Sequence, residues 1–126
     1  YLPCIWSFTE HTGWVNAVAV DNDGYVYSGS YDETVRKISP SGTQVWSFTR
    51  HTGWVNAVAV DNNGYVYSGS SDKTVRKISP SGTQVWSFTG HTSYVYAVAV
   101  DNDGYVYSGS YDKTVRKVFD GLKIIA

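Results

Sequence analysis

Cysteine is nearly absent from this 126-residue chain. Cys4 stands alone, so no intrachain disulfide framework can hold the fold. Excess charge is missing as well. Ten Lys and Arg against eleven Asp and Glu leave a net charge of −1, without the electrostatic footprint of a nucleic-acid or anionic-membrane binder. No apolar run approaches the ~18 residues of a membrane span. The opening "YLPCIWSFTE" has neither the basic nor the apolar region of a signal peptide. The chain reads as soluble and cytoplasmic, with no nucleic acid and no membrane among its partners. It opens at Tyr1 rather than Met, which fits a fragment, a processed form or an engineered chain. Helical periodicity is also lacking: no apolar pattern at a spacing of 3.6 persists.

What is present is a repeat. His11, His51 and His91 lie forty residues apart, as do Trp6, Trp46 and Trp86, and Asp32, Asp72 and Asp112. The first two copies differ at four of forty positions, 10/50, 23/63, 31/71 and 33/73. Each unit reads as four short strands: Trp14 to Val20, Tyr25 to Ser30, Thr34 to Ile38 and Thr43 to Thr49. Gly-containing turns such as "DNDG" and "SPSG" separate them. "AVAV" places small apolar groups on both faces of the first strand, so that strand needs cover on both sides. A four-stranded unit of forty residues, covered on both faces, is a propeller blade. The expected organisation is an outer strand at 4–9, blade repeats at about 6–45, 46–85 and 86–120, and a divergent tail at 118–126. Leu122, Ile124 and Ile125 favour an ordered tail.

His11, "VNAVAV", "GYVYSGS", Asp32 and "TVRK" together resemble a WD40 repeat, and the third unit carries the Gly90-His91 pair that opens that motif. The near-identity of the copies resembles the recently amplified WD40 propellers of bacteria. The resemblance implies a hydrogen-bond network of His11, Ser28 and Asp32, repeated as His51, Ser68, Asp72 and as His91, Ser108, Asp112, with Ser30 an alternative to Ser28. It implies a non-enzymatic scaffold for a protein or peptide. The family's terminal Trp-Asp is replaced by Ile38-Ser39, Ile78-Ser79 and Val118-Phe119, so the network lacks its indole donor.

Propellers have roughly 4–8 blades, and three cannot close a ring. Covering about 500 Å² of apolar surface at each end is worth at most about 12 kcal/mol. The expected assembly is therefore a closed homo-oligomer, a dimer with six blades or a trimer with nine. The strand at 4–9 completes the third blade of a neighbouring subunit by pairing with Thr114 to Val118.

Other chemistries fit less well. Three His, one per blade, are too far apart to share a metal, and "DNDG" lacks the downstream Glu of a calcium loop. No metal or cofactor is expected. Ser, His and Asp occur together, but no nucleophile elbow accompanies them, so no enzyme is expected. The Arg36-Lys37, Arg76-Lys77 and Arg116-Lys117 pairs read as local charge balance rather than a phosphate ring. Tyr25, Tyr27, Trp46 and Phe48 read as packing between blades. Six of the seven positions that vary between units fall on one rim. That rim gives the candidate ligand residues: Glu10, Trp14, Asn16, Tyr31 and Glu33; Arg50, Trp54, Asn56, Ser71 and Lys73; Gly90, Tyr94, Tyr96, Tyr111 and Lys113. A lectin-like propeller with a sugar site on each blade, built on Trp14, Trp54 and Tyr94, is one alternative. A purely structural self-assembling unit is the other.

Overall fold

The computed structural model describes residues 1–119. Eleven strands run through them: β1 Val15–Val20, β2 Val26–Ser30, β3 Val35–Ile38, β4 Gln44–Phe48, β5 Val55–Val60, β6 Val66–Ser70, β7 Val75–Ile78, β8 Gln84–Phe88, β9 Val95–Val100, β10 Val106–Ser110 and β11 Val115–Val118. They form three separate antiparallel sheets in simple meander order, β1 to β4, β5 to β8 and β9 to β11. The turns are closed by the residues that the sequence puts there. Gly24 and Gly42 both take φ of +89°, and the Gly24 amide donates to the Asp21 carbonyl at 3.2 Å. Glu33, Lys73 and Lys113 reach the left-handed region without being glycine, at φ of 74°, 76° and 75°. Each stores a modest strain, on the order of 1 kcal/mol.

The first two blades carry the four strands expected of each unit, and the third is the one whose outer strand was expected from a neighbouring chain. Among the described residues it has three strands, and β11 has no strand on its outer side. The apolar residues of the tail, Leu122, Ile124 and Ile125, lie outside the described residues. Cys4–Thr9 belongs to no ladder. Its side chains nevertheless sit where an outer strand's would. The Trp6 indole donates to the Pro40 carbonyl at 3.0 Å, as the β4 residue Trp46 does to Pro80 at 3.0 Å. Phe8 meets His11 edge-on at 5.8 Å, as Phe48 meets His51 at 6.0 Å. The segment thus repeats the Trp and Phe contacts of an outer strand without belonging to a sheet among the described residues.

The core lies between blades. One cluster joins Tyr27, Val35 and Phe48 of the first blade to Val55 of the second; another joins Tyr67 and Val75 of the second to Val95 of the third. The contact is tightest at glycine. A Cβ on Gly29 would lie 2.6 Å from Val55 Cγ1, and one on Gly69 would lie 2.7 Å from Val95 Cγ1. The backbone of one blade therefore receives the valines of the next, and any side chain there pushes the sheets apart. Gly69→Ala is expected to destabilise the chain by about 1–3 kcal/mol through overpacking, read as a lower denaturation midpoint in urea.

Candidate functional site

Each blade holds one buried polar network, and it is built three times. The Asp32 Oδ2 atom accepts from His11 Nδ1 at 2.8 Å and from the Thr12 amide at 3.0 Å. Oδ1 accepts from the Thr34 amide at 3.0 Å and the Thr34 hydroxyl at 2.6 Å. An ionised carboxylate only accepts, so a proton sits on His Nδ1. The Ser28 hydroxyl lies 2.6 Å from His11 Nε2. His51 repeats the pattern with Asp72 at 2.8 Å and Ser68 at 2.6 Å, and His91 with Asp112 at 2.7 Å and Ser108 at 2.7 Å. Ser30 bonds elsewhere, its hydroxyl donating to the Gly13 carbonyl and accepting the Asp32 amide. The order Ser, His, Asp is that of a hydrolytic triad, but Ser28, Ser68 and Ser108 are buried.

Where the family's Trp would stand, Ile38 and Ile78 are buried instead. The network grows the other way, through residues that sequence reasoning missed. Arg36 Nε donates to Thr34 Oγ1 at 3.0 Å and Nη1 to Gln44 Oε1 at 3.0 Å, while Nη2 stands 3.8 Å from Asp32. The repeat of Thr34, Arg36 and Gln44 every forty residues was the available signal for the first two blades. Lys37 does not join its neighbour; it lies over the Tyr25 ring at 4.7 Å.

These bonds govern the carboxylates. Burial disfavours the charged form of Asp32, but hydrogen bonds from Thr34, His11 and Thr12 outweigh it and hold the pKa at about 2, against an ordinary 3.8. In Asp72 burial is likewise overcome, by the hydrogen bond and charge of His51 and by Thr74 and Thr52, leaving the carboxyl well below its usual range. Hydrogen bonds from Thr114, His91 and Thr92 do the same for Asp112. On the opposite edge Asp21 Oδ1 accepts the Asp23 and Tyr25 amides and Oδ2 the Tyr27 hydroxyl. The first "DNDG" carboxylate, that of Asp21, is thus spent on its own turn. Among the described residues no cluster of His, Cys, Asp and Glu could hold a metal.

The varied loops lie side by side, because the Tyr31 amide donates to the Trp14 carbonyl at 2.8 Å. Glu10, Arg50 and Gly90 are exposed, as are Glu33, Lys73 and Lys113. Asn16 and Asn56 are turned sideways at a β-bulge. They donate to the Val55 and Val95 carbonyls of the next blade at 3.1 and 2.9 Å. In the third blade Tyr96 takes that place and meets Tyr111 edge-on at 3.9 Å. The aromatics form an interrupted belt. Tyr31 stacks on Trp14 of its own blade at 5.3 Å and on Trp54 of the next at 4.1 Å. The equivalent junction between the second and third blades has Ser71 in place of Tyr31. A groove of about 290 Å³ opens there, lined by Glu33, Thr52, Gly53, Trp54, Ser71 and Tyr94. In the third blade Tyr94 lies 5.7 Å from Tyr111, which is exposed.

A meander blade repeated every forty residues, with a His–Ser–Asp network in each, defines a propeller-type repeat protein. The WD domain, G-beta repeat (WD40) model matches residues 2–38, 42–78 and 82–117, and the chain belongs to that family. Each match begins near the outer strand of one blade and ends with the third strand of the next, so the segment before β1 counts within the first repeat. No curated protein matches the chain significantly. WD40 repeats indicate a protein-interaction scaffold and are generally non-enzymatic. Among the described residues no helix is long and apolar enough to cross a membrane.

His51→Ala is expected to cost about 3 kcal/mol, because a buried charged acceptor and a buried hydroxyl lose their shared partner. The depressed aspartate pKa values stabilise the fold fully above about pH 4, and that stabilisation drains away as pH falls through about 2. Urea midpoints measured from pH 6 to pH 2 check this. Asp72→Asn should lower stability at pH 7 and flatten the acid limb.

Proposed function

We propose that this chain is a self-assembling interaction scaffold: copies join head to tail into a closed propeller, and a protein or peptide partner binds the edge carrying the 10–14 and 31–33 loops. One observation carries the assembly. The interface made twice inside the chain is left half-made at each end. Val55 and Val95 are fully buried against the preceding blade, whereas Val15 is 50% exposed. Val35 and Val75 are fully buried by the following blade, whereas Val115 is 79% exposed. Gly29 and Gly69 are closely covered by valines, whereas a Cβ on Gly109 would meet nothing nearer than Ala97 Cβ at 3.8 Å.

A second copy supplies what is missing. Its Val15 and Val18 seat on Gly109, its Trp14 stacks on Tyr111, and its Cys4–Thr9 segment pairs with β11 as the fourth strand of the third blade. Two copies give six blades and three give nine. The binding edge is supported by variation: six of the seven positions that differ between units fall on it.

Solution mass tests the assembly. Twice or three times 13.9 kDa is the expected result, and it also fixes the blade count; a monomer overturns closure. Gly109→Val separates assembly from folding. Within one chain a Cβ there meets nothing nearer than Ala97 Cβ at 3.8 Å, an ordinary contact, so the fold persists, but the valine blocks the incoming valines. The variant should run as a folded monomer.

A further inference from the structure

We infer that the groove over Ser71 is a receptor slot for a tyrosine side chain of the partner protein, an inference that rests on the reading of this edge as a protein-binding face. The first junction shows what such a slot holds. There the chain fills the space between Trp14 and Trp54 with its own Tyr31, stacked at 5.3 and 4.1 Å with interplanar angles of 21° and 15°. At the second junction the frame is kept, with Trp54 on one side and Tyr94 on the other, but position 71 is serine and the ring is gone. This is one of only four changes between two otherwise identical units, and it opens a groove of about 290 Å³.

The vacated space is shaped for a planar ring. Trp54 packs on Tyr31 and Tyr94 on Tyr111, yet both remain about half exposed, at 48% and 44%, so each keeps aromatic surface open to solvent. The floor is fixed, because Asn56 donates to Ser71 Oγ at 3.0 Å while bracing the Val95 carbonyl. Glu33, held in a left-handed turn, brings a carboxylate to the groove that can accept a phenol hydroxyl. A flat ring with a donor at its tip matches all three features. A tyrosine offered by a partner places one there and completes the belt from outside. The same carboxylate repels a phosphorylated tyrosine.

The test is NMR titration of the full chain with N-acetyl-tyrosine amide, following the indole N–H resonances. The Trp54 resonance is expected to move saturably with a Kd on the order of 1 mM. Trp6 and Trp46, whose indoles are bonded to the Pro40 and Pro80 carbonyls, should stay still. Ser71→Tyr is the decisive variant. It copies the first blade's own sequence, so it folds, and it fills the slot from within; binding should weaken at least about tenfold. N-acetyl-leucine amide should leave the spectrum unchanged. No shift in the parent chain, equal binding by Ser71→Tyr, or shifts from a methyl glycoside in place of the tyrosine amide would each overturn the proposal. Mass measured on the same samples keeps the two readings apart. An oligomer that ignores the tyrosine amide loses the slot and keeps the scaffold; a monomer that binds it keeps the slot and loses closure.

Discussion

Valine seated on glycine holds this molecule together. Each blade alone is a small antiparallel sheet with nothing of its own beneath it, and the apolar clusters exist only where two blades meet. Gly29 and Gly69 leave room for the valines of the following blade to approach the backbone. The sheets then come close enough for Asn16 and Asn56 to reach a carbonyl across the gap and for Tyr31 to stack on Trp54.

The polar network does separate work. It fastens the loop carrying each His to the turn carrying each Asp. The conformations of the 10–14 and 31–33 loops are therefore set from inside, by largely buried groups. Glu10, Arg50 and Gly90 can change sign or vanish beside a fixed His because no bond in the network depends on them. A rigid frame with replaceable outward residues is what a repeat needs if it is to vary its recognition without losing its fold.

Much of this was legible in the sequence, for physical reasons. A forty-residue period, Gly turns and a strand that is apolar on both faces leave few options other than stacked blades. The His, Ser and Asp positions came through the WD40 resemblance, and the distances between them are short in all three copies. Two things were not legible. Asn16 and Asn56 read as ligand residues of the varied rim, but at a β-bulge they are aimed at carbonyls of the next blade. The extension through Thr34, Arg36 and Gln44 depends on side-chain reach across β3 and β4, which spacing alone does not give.

The two end faces also differ from each other: one offers Val15 and Val18, the other Gly109 beside Val115. Contacts between such unlike faces would be polar in direction, and nothing in them fixes how many copies can join. A ring results only if the rotation from blade to blade divides a full circle; otherwise the same surfaces add copies without end. In the proposed assembly that rotation is the one the chain already makes between its own blades, where Gly29 and Gly69 meet valine. The internal junctions of a single copy would then be the gauge that separates a finite particle from a fibre.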